Sequence, residues 1–227
     1  MEDGNKVNKL KVLYEDNHII VVFKEANILS QSDNTNDIDM LTMVKQYIKI
    51  KYQKPGNVYL GLVHRLDRPV SGLMVFARTS KAASRLSEQV RTRQIKKTYM
   101  AVIHGILEKN SDTFVDYLYR SDNSNTIVTV KEKGKESILD YKVLGRNYEK
   151  NETLVSINLK TGRHHQIRVQ FASRRYPLCG DQRYGRQDKT QIALCAYKLE
   201  FIHPVSKELM CFEIAKPNGI YWDDFIL

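Results

Sequence analysis

The chain has 227 residues, 42% of them hydrophobic, and a formal net charge of +10 at pH 7. That length is enough for a real core, the charge suits a polyanionic partner such as nucleic acid, and no stretch reaches the roughly 20 apolar residues of a membrane-spanning helix. The three cysteines, Cys179, Cys195 and Cys211, are odd in number and form no CxxC pair, so neither a disulfide framework nor a zinc site is expected, and a reducing, cytoplasmic setting with small buried thiols is.

The opening MEDGNKVNKLKVLYED lacks a continuous apolar segment and a small-residue cleavage site, so it does not read as a secretory signal. Val12 to Tyr14 and Ile19 to Phe23 are rich in β-branched and aromatic residues and predict two strands around an Asp-Asn turn. After the polar loop SQSDNTND, the residues Ile38, Leu41, Val44 and Ile48 share one helical face, with Asp37 as its expected cap. KPGN at 54–57 breaks the chain. HRLDRPVSG then leads into LMVFA, which reads as a buried strand. In TSKAASRLSEQV, Ala82, Leu86 and Val90 share a face that Thr79 or Ser80 can cap. TYMAVIHGIL predicts a strand, and FVDYLY, NTIVTV, SILDYKVLG and TLVSINL predict four more between 113 and 160. TGR at 161–163 turns into HHQIRVQFAS, where Ile167 and Phe171 lie one helical turn apart, as in a helix docked on one side. IALCAYKLEFIHP and LMCFEIAKP predict the last strands. Consecutive strands in the second half predict an α+β domain with a large mixed, mostly antiparallel sheet flanked by helices and loops. No linker stands out, so residues 1–227 are expected to form one domain.

Two constellations carry chemistry. Asp67 sits in a turn-rich segment between Arg65 and Arg68, where neighbouring cations keep a carboxylate ionised and able to act as nucleophile or base. On spacing alone a surface ion pair with Arg65 or Arg68 is the better reading. In TGRHHQIR a turn delivers Arg163, His164 and His165 to a helix start, a place that suits phosphate or carboxylate, with Arg168 one turn further on. No third ligand stands at a metal-binding spacing from the tandem histidines. Phosphate-loop, dinucleotide, HExxH and GxSxG motifs are all missing from the sequence.

In this order, HRLDRPVSGLMVFARTSKAA, KKTYMAVIHG, TGRHHQIRVQFA, PLCGDQRYG and IALCAYKLEFIHP strongly resemble the RluA-type RNA pseudouridine synthases. The resemblance implies an enzyme that isomerises uridine to pseudouridine in ribosomal or transfer RNA, with neither cofactor nor metal. It implies that Asp67 is the catalytic aspartate, that Arg168 pairs with it, and that Tyr99 stacks on the target base. Arg65 would enter the RNA helix as the uridine flips out, offsetting part of the lost stacking. His64, Arg163 and His165 join it as expected RNA contacts. Arg91, Arg93, Lys96 and Lys97 are expected to meet phosphates, as is the basic segment at 173–175. Glu25, His164, Gln170 and Cys195 depart from the usual pattern without touching these residues. Too few residues precede the first strand for a separate N-terminal RNA-binding domain, so target choice is expected to rest on the catalytic domain, acting as a monomer. The alternative is a non-catalytic RNA-binding protein or RNA chaperone on the same fold.

Overall fold

A computed structural model describes residues 10–35, 37–121, 127–129, 132–186 and 189–226. The architecture is α+β, with a large mixed, mostly antiparallel sheet and, among the described residues, three helices. The chain forms two compact units, one running up to Ile95 and including Lys198–Glu213, the other comprising Lys96–Tyr197 and the segment from Ile214 onward.

In the first unit, β1 (Lys11–Glu15) and β2 (Ile19–Lys24) form an antiparallel hairpin. Its turn is closed by Asp16, whose Oδ1 accepts the backbone N–H groups of His18 and Ile19, each at 2.7 Å. Strand β4 (Ser71–Ala77) pairs antiparallel with β2 and with the short β3 (Gly61–Leu62). Ile19 to Val22 and Leu73 to Ala77 are at most 1% exposed, so these two strands are the unit's core.

Helix α1 (Met40–Lys51) buries Met40, Met43, Val44 and Ile48. Its cap is Asp39, whose side chain accepts the Thr42 N–H, and not Asp37. The apolar stripe begins at Met40, and Ile38 precedes the helix. Helix α2 (Ser80–Arg91) is capped by Thr79 and buries Ala82, Leu86 and Gln89. Val90 is 38% exposed, and the buried face continues instead through Gln89. The Gln89 amide donates to the Ile202 carbonyl and accepts its N–H, which satisfies a buried polar side chain at a strand end.

In the second unit, β5 (Lys96–His104), β6 (Ser111–Arg120), β7 (Ile127–Thr129), β8 (Lys135–Asn147) and β9 (Glu152–Leu159) pair antiparallel in the order β5-β9-β8-β6-β7. Of the strand expected at 125–130, residues 125, 126 and 130 lie outside the described residues. Helix α3 (Gln166–Ala172) is not docked on one side, because Gln166 through Phe171 are all buried. Phe171 meets Phe114 and Tyr141 edge-on or tilted, with centroids 5.1 and 5.9 Å apart. Of strand β10 (Leu194–Ile202), the part from Lys198 belongs to the first unit, where it pairs with β11 (Leu209–Glu213). Cys179 and Cys195 are buried as expected, whereas Cys211 on β11 is exposed.

Candidate active site

Residues 63–67 of the first unit run as irregular chain between β3 and β4. Side chains alternate as they do along any extended segment: His64 and Leu66 are buried, Arg65 and Arg68 are exposed, and Asp67 is half-buried. The loop is tied down by its own backbone. The Leu66 N–H donates to Ser30 Oγ at 3.0 Å, and that hydroxyl lies 2.7 Å from the Leu66 carbonyl. The Val70 N–H donates to the Asp67 carbonyl at 3.0 Å, closing a turn through Arg68 and Pro69. Arg68 pairs with Asp37 at 2.7 Å, which gives Asp37 a role in place of the expected cap. His64, expected at the RNA, is 7% exposed and accepts the Val75 N–H on Nε2 at 3.0 Å. Its ring therefore fastens the loop to β4.

Lys24 was not legible as a site residue, yet it lies under this loop. It is fully buried, and its ammonium donates to the carbonyls of Glu25, Ile28 and Arg68 at 3.1, 2.6 and 2.9 Å. Room for it comes from Gly72, its cross-strand partner on β4, which has no side chain and a φ of 138°. Burial pushes the Lys24 pKa down to about 7, opposed by the nearby Asp67 carboxylate and by Glu25, and assisted by Arg68. Lys24→Met should strand buried carbonyl groups and destabilise the protein by about 2–4 kcal/mol, read from the urea midpoint. The unfolded chain holds a proton on this lysine up to its ordinary value while the folded chain releases it near 7. Stability of wild type relative to Lys24→Met should therefore rise with pH across that window and level off below it. A pH-independent difference would show that the amine keeps its proton in the fold.

In the second unit the TGRHHQ turn is locked by Gln166. Its Oε1 accepts the Thr161 hydroxyl at 2.9 Å and the Arg163 N–H at 3.0 Å, and its amide donates to the Ile138 carbonyl. His165 stands at the helix cap in the left-handed conformation, φ 54°, with no side-chain cap bond. It is 9% exposed, stacks on His164, and its Nδ1 lies 2.8 Å from the Tyr184 hydroxyl. Burial lowers its pKa to about 3, with Arg168 and His164 adding to the effect, so its ring is neutral. It is a packed polar group rather than a cationic RNA contact.

Arg168 is 6% exposed and grips Asp181 through a fork, Nε to Oδ2 at 2.8 Å and Nη2 to Oδ1 at 2.7 Å. Asp181 also accepts the N–H groups of Arg183 and Tyr184. Burial acts to raise the Asp181 pKa, but the Arg168 fork and these backbone donors outweigh it and hold the carboxyl below its ordinary range. Gly180 supports the turn at φ 72°, where a β-carbon would strike the Gln191 carbonyl. An arginine carries five donors, so the Asp181 fork is compatible with a second carboxylate partner. Asp181 lies in the sequence block PLCGDQRYG, but nothing in its spacing announces the partner.

The remaining residues are spread over several elements. Tyr99 is 6% exposed on β5, in register with Ile157. Lys96 at the start of β5 is exposed, and Lys97 is half-buried, with burial lowering its pKa. Arg91 and Arg93 lie at the C-terminal end of α2, both exposed, and Arg91 is held by Glu88 at 2.7 Å. Arg163 is exposed, with its Nε on the Glu136 carbonyl. Of the 173–175 segment, Arg174 is taken up by Asp116 at 2.7 Å and by the Phe114 ring at 4.0 Å. It is structural rather than a phosphate contact.

The family model described as RNA pseudouridylate synthase matches residues 18–173, a span that includes Asp67, Tyr99 and Arg168. An uncharacterized RNA pseudouridine synthase of Bacillus subtilis is 34% identical over 212 residues, covering 92% of this chain and 69% of that protein. The ribosomal large subunit pseudouridine synthase C of Buchnera aphidicola is 32% identical over 228 residues, covering 91% of this chain and 70% of that protein. The ribosomal large subunit pseudouridine synthase D of Nitrosomonas europaea is 34% identical over 224 residues, covering 93% and 63%. The solved structure of human RNA pseudouridylate synthase domain containing 4 shares the fold, with a TM-score of 0.77 at 20% identity over 95% of this chain and 92% of that one.

Proposed function

Since the chain belongs to the RNA pseudouridylate synthase family and is thereby an isomerase of uridine in RNA, we propose that Asp67 is its catalytic carboxylate. The observation that carries this is the pinned loop: Ser30 and Lys24 fix the backbone on either side of Asp67, at Leu66 and Arg68, so the residue is presented from a fixed backbone. Preorganised charge of this kind favours reaction because little rearrangement is left to the reacting step.

The reaction breaks the N-glycosidic bond of a uridine, turns the uracil and rejoins C1′ to carbon 5, which then gives up its proton. Asp67 acts on the ring or at the sugar, and either route requires the ionised form. Tyr99 stacks against the flipped base, and Arg168, braced by Asp181, orients the Asp67 carboxylate. Arg65, exposed at the rim of the same loop, fills the gap left in the RNA stack. Neither cofactor nor metal enters these steps. The substrate proposed is a structured loop of ribosomal RNA, supported by the names of the relatives from Buchnera and Nitrosomonas, with transfer RNA as the second pool. We place the enzyme in the cytoplasm as a monomer. None of the described helices is long and apolar enough to cross a membrane.

The test is tritium release from RNA labelled at uracil carbon 5, using RNA from cells that lack this gene. Release by the wild-type protein, followed by mapping of the site, supports the proposal. Silence on both RNA pools would remove ribosomal and transfer RNA as substrates.

Phosphate contacts make a further expectation. RNA affinity should fall linearly in log–log form with salt, and Arg93→Ala should flatten that slope by about one. Arg91→Ala should do less, because Glu88 already neutralises Arg91. Turnover at saturating RNA should stay unchanged in both. Equal slopes for wild type and Arg93→Ala would take this residue off the RNA.

A further inference from the structure

Three side chains of the second unit, used nowhere in the isomerisation, converge on one point. His104 ends β5 and is the direct cross-strand partner of Glu152, the first residue of β9. Cys179 follows Leu178, and its backbone N–H donates to the Val102 carbonyl at 2.9 Å, which fixes it beside β5. Cys179 Sγ lies 3.5 Å from His104 Nδ1 and 3.6 Å from Glu152 Oε1, and those two atoms are 3.9 Å apart. Cys179 is fully buried and the Glu152 side chain is 6% exposed. The second carboxylate oxygen of Glu152, Oε2, is buried and makes no hydrogen bond among the described residues. A carboxylate in that position is costly unless something compensates it.

We propose that His104, Glu152 and Cys179 form a binding site for a divalent cation of the zinc class. Zinc takes thiolate at about 2.3 Å and imidazole or carboxylate at about 2.1 Å, and tetrahedral angles then set donor atoms roughly 3.4–3.6 Å apart. The two sulfur edges of the triangle already have that length. The nitrogen–oxygen edge is slightly long and closes with a small rotation of the carboxylate. Thiolate and carboxylate together balance the charge of a dication, and the softness of sulfur favours zinc over magnesium or calcium. His104 keeps 13% of its side chain exposed and is the least buried of the three. Tyr221 packs edge-on against the imidazole, with centroids 6.3 Å apart, and its hydroxyl lies 3.1 Å from Thr190 Oγ1, which steadies the ring on that side. Burial raises the Glu152 pKa, opposed by Cys179 and Lys150. The three ligands are far apart in the sequence and follow no ligand motif, which is why spacing alone predicted no zinc site.

The test is titration of the chelator-treated full-length protein with Co²⁺, followed by displacement with Zn²⁺. One equivalent of Co²⁺ should produce a thiolate-to-cobalt charge-transfer band that Zn²⁺ abolishes. Cys211→Ser should keep the band and Cys179→Ser should lose it. Glu152→Gln, which preserves shape and is expected to fold, should weaken Zn²⁺ binding roughly tenfold or more in competition with a chromophoric chelator, and it decides the matter if Cys179→Ser does not fold. Absence of the band in wild type, its survival in Cys179→Ser, or wild-type affinity in Glu152→Gln would each overturn the site.

Discussion

Asp67→Asn should stop pseudouridine formation while RNA affinity stays close to that of wild type. The substitution keeps the size of the side chain and leaves the backbone ties of the loop in place, which run through Ser30, through the ammonium of Lys24 and through the Val70 N–H to the Asp67 carbonyl. What is lost is one ionised oxygen at the reacting nucleotide. Removing a group of that kind lowers turnover by on the order of 10³–10⁴-fold. Parallel measurement of tritium release and of RNA binding at fixed salt separates chemistry from affinity. Turnover retained in the variant would move the chemistry to another residue.

Arg168→Ala carries the second large effect, and it should act on stability and on turnover by different routes. Asp181 is fully buried in its side chain, and Arg168 is its charge partner. Removing one member of such a pair leaves a buried charge and costs about 3–5 kcal/mol. The double variant Arg168→Met/Asp181→Asn removes both charges while retaining an acceptor for the Arg183 and Tyr184 N–H groups. It should recover most of the lost stability, since a paired buried ion and a neutral replacement are often nearly equivalent. It should not recover turnover, which is expected to stay down by about 100-fold through loss of orientation at the carboxylate. Return of full activity in the stable double variant would show that Arg168 is only a brace. The pH dependence has a definite sign. The Asp181 carboxyl is depressed in the fold, so the stability it contributes is present above the ordinary carboxylate range and lost as pH falls through its folded value. The gap between wild type and the double variant should therefore shift against wild type in acid.

Much of this architecture was legible because burial repeats with the period of each element. The apolar runs of β2 and β4, and the Ala82 and Leu86 stripe of α2, needed no tertiary information. Errors arose where a polar side chain found a partner distant in sequence. Gln89 displaced Val90 from the buried face because the end of β10 offered a carbonyl and an N–H. Asp39, not Asp37, is the cap because the helix begins at Met40, while Asp37 pairs with Arg68. Site residues divide in the same way. The motif blocks are what propose Asp67, Tyr99 and Arg168, whereas Lys24 reads as an ordinary strand lysine until Gly72 is seen opposite it. His64 and His165 were expected at the RNA from the motif blocks in which they stand, yet both turn inward, where a backbone N–H and a tyrosine hydroxyl meet them.

The strand order of the second unit has a consequence for the newly made chain. The pairings β8·β9 and β6·β7 join neighbours in sequence, and the turn between β8 and β9 spans only Tyr148–Asn151. β5, the first of these strands to be synthesised, pairs with β9, the last of them, Tyr99 meeting Ile157. Closing short loops costs less chain entropy than closing long ones, so the hairpins are set before β5 docks. Until β9 has left the ribosome, TYMAVI must wait as an apolar strand without this partner, the kind of segment that pairs with the wrong chain. Aggregation during synthesis is therefore most to be feared from truncations that end before residue 159. The tyrosine proposed to hold the base thus meets its register partner Ile157 only after about sixty further residues have been made.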